Sequence, residues 1–214
     1  MTRGALARTR AIVFDLDGTL VDSLPDIAHH LTAAMADEGL PPPALDDVRA
    51  WVGRGARQLV ESAVGRDAAP RVLDRFRARY QASPFGRTVL FPGIAEMLDA
   101  VTRRHALAVL SNKPHDLVVA IVDALLARWR FRAVAGEQPG RPRKPDAGAI
   151  LPVVSELGVS PQDCVLVGDS EIDLQTARAA AMPSVIVGWG MRDADQLLAD
   201  HVVRTPAELA DLFA

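Results

Sequence analysis

"AIVFDLDGTLVDS", residues 11–23, runs four apolar residues straight into Asp15 and Asp17, with Gly18 and Thr19 close behind. A continuous apolar run that ends on carboxylates reads as a strand buried on both faces, with a polar group at its carboxyl end. The pattern recurs down the chain. Runs at 11–16, 106–111 ("ALAVLS"), 131–136 ("FRAVAG"), 164–169 ("CVLVGD"), 184–188 ("SVIVG") and 201–203 ("HVV") are strand candidates. Stretches near 93–104, 115–128, 147–157, 171–181 and 206–213 carry helical spacing between them, with Pro and Gly at many joins. Strands alternating with helices predict a parallel sheet covered on both faces and joined by right-handed crossovers, a doubly wound α/β core.

One interval departs from this alternation. From Asp22 to Gly86 no β-run stands out, whereas "DIAHHLTAAMADEGL", "VRAWVGRGARQLVESAVG" and "RVLDRFRARYQAS" all carry helical spacing. The division expected is an α/β core over 1–21 and 87–214 and an α-helical domain over 22–86, hinged near Val21–Leu24 and Pro84–Val89. The 214 residues suffice for one sizeable core and a small accessory lobe.

Composition narrows the function. Hydrophobic residues make up 49% and aromatic residues only 5%, so the core is built from Ala, Val, Leu and Ile. A net charge of -3 offers no general basic field, which argues against a nucleic-acid partner. The single cysteine, Cys164, lies in the apolar run "CVLVG" and reads as a buried, inert thiol. The basic start "MTRGALARTR" resembles the front of a signal peptide, but Asp15 cuts the apolar run short of the roughly 7 residues such a segment needs. No stretch is long enough to span a membrane, so a cytoplasmic protein without membrane contact is expected.

In a doubly wound fold, ligands bind beyond the carboxyl ends of the strands. Asp15 and Asp17 fall there, as do Ser111 and Asn112 after "LAVL", and Asp169 and Asp173 in "GDSEID". Lys144, in "PRKPD", follows the 131–136 strand by a short loop and reaches the same edge. Carboxylates, one lysine and hydroxyl donors together make a balanced site for a hard divalent cation and a phosphate. The five histidines show no mutual spacing that suggests zinc; His115 alone falls beside the phosphate site. Trp51, Trp129 and Trp189 read as packing residues.

In order and spacing, "DLDGTLVDS", "SNK", "RKPD" and "GDSEID" resemble the four signature motifs of the haloacid dehalogenase-like (HAD) hydrolases, over nearly the whole chain. The helical insertion is similar to the small cap of the phosphoglycolate phosphatase-like branch, as are "WVGRGARQLV", "SNKP", "GWG" at 188–190 and "TPAEL". The resemblance implies a Rossmann-like core and a Mg²⁺ ion held by the Asp15 carboxylate, the Asp17 backbone carbonyl and the Asp169 carboxylate, with Asp173 orienting water or Lys144. It makes Asp15 the nucleophile that forms an aspartyl-phosphate, and Asp17 the acid and then the base. Members that cleave carbon–halogen bonds lack an aspartate at the Asp17 position, which disfavours dehalogenation.

Thr19, Ser111, Asn112, Lys144, Gly53 and Arg54 are the candidates for binding substrate. Ser111 is expected to donate to a phosphoryl oxygen, Thr19 to steady Asp17, and Arg54 to read a substrate carboxylate from the cap. The expected substrate is a small phosphorylated metabolite, with 2-phosphoglycolate leading. A sugar phosphate, nucleotide, pyrophosphate or secondary-metabolite precursor, a β-phosphoglucomutase-like mutase and a non-catalytic binding protein are the alternatives. A monomer or homodimer is expected. Pro152 predicts that the helix after Lys144 is kinked or begins late.

Overall fold

The computed structural model describes residues 6–214, so the first half of the basic N-terminal stretch lies outside the described residues. Strand β1 (Ala11–Phe14) lies inside a six-stranded, all-parallel sheet of order β5-β4-β1-β6-β7-β8. Its partners are β4 (Ala106–Pro114), β5 (Phe131–Glu137), β6 (Cys164–Gly168), β7 (Ser184–Val187) and β8 (His201–Val203). Every residue of β1, β6 and β7 is buried, which is why these strands read as unbroken apolar runs rather than alternating ones.

Alternate residues serve opposite faces. Ile12, Phe14, Leu107, Val109, Val165 and Val167 pack against α4 (Ile94–Val101), α5 (His115–Leu125) and α8 (Pro206–Leu212). Ala11, Val13, Ala108, Leu110, Cys164 and Leu166 meet α6 (Ala147–Leu157) and α7 (Glu171–Ala179) on the other side. The sheet is therefore wound on both faces, as expected. Helix α6 neither begins late nor breaks: it starts at Ala147, capped by the Asp146 side chain on the Gly148 amide, and runs through Pro152. That cap supplies the start signal and outweighs one missing backbone donor.

Helices α1 (Leu24–Ala36), α2 (Leu45–Trp51) and α3 (Ala56–Ala82) fill the interval without strands and share a hydrophobic cluster built around Leu31, Val48, Val60, Val72 and Phe76. Residues 52–55, around Gly53 and Arg54, leave the helical conformation between α2 and α3, and α3 is itself kinked at Gly65, whose φ is +74°. Two short strands join this layer to the sheet: β2 (Val21–Asp22) pairs antiparallel with β3 (Val89–Leu90). Beside them the buried Asp26 accepts from the Arg87 amide, the Thr88 amide and the Thr88 hydroxyl at 2.6–2.8 Å, which ties the two connections together. Among the described residues no helix is long and apolar enough to cross a membrane.

Candidate active site

The carboxyl ends of β1, β4 and β6 deliver the polar residues to one place. Asp15 leaves β1 with its amide bonded to the Val167 carbonyl of β6 at 2.8 Å, and its own Oδ1 accepts the Leu16 amide at 2.7 Å. The chain then turns sharply: the Gly18 amide bonds back to the Val21 carbonyl with φ at +85°. A side chain at Gly18 is excluded twice, by that dihedral and because a Cβ there would lie 2.3 Å from Oδ2 of Asp169. Gly190 presses from the other side, where a Cβ would meet Cβ of Asp169 at 2.3 Å.

Asp15, Asp169 and Asp173 are all buried and offer oxygen atoms within 4.8 Å of one another. Lys144 lies among them, its Nζ 2.9 Å from Asp15 and 2.6 Å from Asp173. Asp173 is held further by the amide and hydroxyl of Ser170, in a reciprocal cap at the start of α7. Among the described residues Asp169 receives only the Met191 amide, at 2.6 Å. Burial, with Asp173 beside it, pushes the Asp169 carboxyl up to about 7. Asp15 is likewise raised well above the ordinary carboxylate range by burial, against the pull of Lys144 and with a push from Asp173 and Asp169. Burial opposes the charge of Lys144, yet Asp15 and Asp173 hold it protonated. One ammonium faces three carboxyl groups, so the cluster is balanced only by bound protons or by a further cation. Its donors are hard oxygens, which fits a small divalent cation such as Mg²⁺.

Asp17 stands apart from that cluster. It accepts from the Ser23 hydroxyl at 2.5 Å and from Nζ of Lys113 at 3.0 and 3.3 Å. Lys113 also donates to the Tyr80 hydroxyl of α3 at 2.6 Å, joining the helical layer directly to Asp17. Burial pushes the Tyr80 phenol up to about 12, so it stays protonated and serves Lys113 as an acceptor.

The other candidate residues divide. Ser111 is buried and accepts the Lys113 amide at 3.2 Å. Asn112 acts as a clamp: its amide group donates to the carbonyls of Gly53 and Lys144, and its oxygen accepts the Lys144 amide. Thr19 does not steady Asp17: among the described residues its buried hydroxyl has no hydrogen-bond partner, while its carbonyl accepts from the Trp189 indole at 3.0 Å. Arg54 pairs with Glu171 at 3.3 Å and does not line the cleft beside Asp15. His115 takes the Gly136 amide on Nδ1.

That cleft, between the sheet edge and the helical layer, measures about 580 Å³ including its open mouth, of which about 60 Å³ is interior cavity. Asp15, Asp17, Ser111 and Lys113 line it on the sheet side, and Ile27, Leu59, Phe76 and Tyr80 on the helical side. Lys113 and Tyr80 were not foreseen as site residues. The sequence carries one signal for Lys113: it and Lys144 are the only two lysines, every other such cation being arginine.

The family model described as haloacid dehalogenase-like hydrolase matches residues 12–187. A phosphoglycolate phosphatase of Caulobacter vibrioides is 38% identical over 91% of this chain and 86% of its own length; one of Chromobacterium violaceum is 35% identical over 97% and 98%. A crystal structure from Haemophilus somnus, described as a predicted phosphoglycolate phosphatase, superposes with a TM-score of 0.89 at 28% identity, covering 97% of this chain and 99% of that one. The all-parallel sheet, the two-carboxylate turn after its first strand and these matches agree: the chain belongs to the haloacid dehalogenase-like hydrolase family.

Proposed function

We propose that the protein is a Mg²⁺-dependent phosphatase that hydrolyses 2-phosphoglycolate through an aspartyl-phosphate on Asp15. The observation that carries this reading is the separation of two aspartates two residues apart. Asp15 sits beside Lys144 in the anionic cluster, and Asp17 is held outside it by Lys113 and Ser23. This difference in surroundings supports attack by the first and proton transfer by the second. The names of the similar proteins from Caulobacter vibrioides and Chromobacterium violaceum support the choice of substrate.

An oxygen of Asp15 attacks phosphorus while Asp17 gives its proton to the departing glycolate oxygen. Asp17 then takes a proton from the water that attacks the aspartyl-phosphate, which frees phosphate and restores both carboxyl groups. Lys144 offsets the charge that collects on Asp15 and the phosphoryl oxygens, and the Ser111 hydroxyl donates to one of those oxygens. Asp15, Asp169 and the Asp17 carbonyl would hold Mg²⁺, with Asp173 aligning Lys144 behind them; the bound ion would lessen repulsion between carboxylate and phosphate. Residues 22–86 form the cap that shuts the cleft. Within it the glycolate carboxylate is read by Lys113, which lines the cleft with its ammonium already on Asp17 and the Tyr80 hydroxyl, rather than by Arg54, which lies outside the cleft lining.

The apolar wall of Ile27, Leu59 and Phe76 favours a second reading, a phosphomonoester with a larger, partly apolar leaving group. Phosphate release from a panel of phosphorylated metabolites, with Mg²⁺ and with EDTA, separates the two. The first reading requires 2-phosphoglycolate to give the highest kcat/KM, and it fails if that ester is turned over no better than p-nitrophenyl phosphate.

A further inference from the structure

At the opposite end of the sheet from Asp15 lies a second concavity, about 990 Å³ including its open mouth. Arg10 precedes β1, Arg103, Arg104 and His105 form the turn from α4 into β4, and Arg130 and Arg132 flank the start of β5. All five arginines are exposed, and no carboxylate lines the groove. Among the described residues none of the five lies within ion-pair distance of an acidic group. Several exposed arginines elsewhere are paired, Arg71 and Arg75 with Glu38, Arg79 with Asp37 and Arg128 with Asp99, and others stand alone; what sets this groove apart is that five unpaired ones line a single concavity. The ends of α4 and α6 give Arg103 and Arg104 a reason to be cationic, since helix carboxyl ends attract positive charge. They do not account for Arg10, Arg130 and Arg132, which sit on strand ends.

We propose that this groove is a binding site for a small polyphosphate, a linear chain of two or more phosphates such as inorganic tripolyphosphate or the tail of a nucleoside triphosphate. Like charges gathered in a concavity repel one another and focus the field on one small volume, so a multivalent anion gains there what a single charge does not. Guanidinium groups take phosphate oxygens in pairs, and five of them arriving from three chain segments outnumber what one phosphate can use. A nucleic acid fits less well, because a long polyanion leaving the groove meets a protein of net charge -3. Arg10 and Asp15 bracket the four residues of β1, which puts the groove roughly 16 Å from the nucleophile at the strand rise per residue. The two sites are therefore separate.

Calorimetric titration of the full chain in EDTA tests this, with tripolyphosphate as probe, ATP as a second arm and orthophosphate as control. Tripolyphosphate is expected to bind one per chain, and to weaken by about tenfold when salt is raised from about 50 to about 200 mM. Comparable binding of ATP assigns the site to the shared phosphate chain; binding of tripolyphosphate alone restricts it to the inorganic form. Substituting Arg103→Glu with Arg132→Glu should weaken binding by at least about tenfold while phosphatase kcat/KM stays within about twofold, which also shows that the variant folds. Arg10→Ala should weaken it by a smaller factor. Undiminished affinity in the charge-reversed protein overturns the proposal, as does orthophosphate binding as tightly as tripolyphosphate. A single-stranded oligonucleotide displacing tripolyphosphate at lower concentration would overturn the small-ligand assignment in favour of nucleic acid.

Discussion

A buried lysine serves one carboxylate best when nothing else claims it, and here both lysines are shared. Lys144 divides its charge between Asp15 and Asp173, and Lys113 between Asp17 and the Tyr80 hydroxyl. Replacing Asp15 with Asn removes the oxygen proposed to attack yet keeps the shape, so turnover should fall by at least about a thousandfold with the fold intact. Phosphate release and a thermal melt check this, and appreciable residual turnover would exclude a covalent intermediate on Asp15. Lys113→Met should raise KM for 2-phosphoglycolate by about tenfold more than KM for p-nitrophenyl phosphate, which has no carboxylate to read. Equal effects on the two esters would leave Lys113 as a holder of Asp17 only. Cys164 makes a third case at this scale. Burial pushes its thiol up to about 12, so at pH 8 only about one in ten thousand is thiolate. The native protein should resist a thiol-specific disulfide reagent that titrates the urea-unfolded chain completely.

Among the elements, the one with most leverage on the site is the loop after β7. The Met191 amide holds Asp169, and the next side chain, Arg192, grips the helical layer by donating to the carbonyls of Arg49, Ala50 and Val52 at 2.6–2.9 Å. Those carbonyls lie at the end of α2, where a helix has no internal donors left to offer. Only a planar fork reaches all three, so Arg192→Lys should behave like Arg192→Ala. Both should speed hydrogen exchange over residues 45–56 and raise KM about tenfold; rescue by lysine would show that charge alone suffices. None of this is visible in "GWGMRDAD", because it depends on a loop and a helix some 140 residues apart in sequence meeting in space. The strands β1, β6 and β7 were legible because burial on both faces leaves no polar alternation to confuse the run. The two-residue β2 and β3 were not, since each is too short to carry a period. Asp15, Asp169 and Lys144 were legible for a related reason: a charged residue straight after, or one short loop beyond, an apolar strand has one edge to go to. Tyr80 was hidden inside an ordinary helical pattern, its hydroxyl revealed as a site group only by the fold.

For the molecule as a whole, the anionic cluster makes stability a function of proton and cation together. The Asp169 carboxyl titrates near 7 in the folded chain and near 4 when unfolded. Between those values the native state holds a proton that the unfolded chain has released. The stabilisation this gives is therefore complete below about pH 4 and is lost as pH rises through about 7, amounting to about 4 kcal/mol if the group acted alone. Asp15, raised in the same direction, adds to it. A divalent cation bound by the same oxygens would replace the proton's role and favour the deprotonated form instead. In EDTA the urea midpoint should fall between pH 5 and pH 8, and millimolar Mg²⁺ should restore it at pH 8 while doing little at pH 5. Asp169→Asn removes one of these titrating groups and leaves Asp15, so it should make the EDTA profile shallower and blunt the response to Mg²⁺ without needing substrate or turnover as a readout. Parallel profiles with and without Mg²⁺ would mean that the three buried carboxylates hold no ion, and that Lys144 alone must balance their charge.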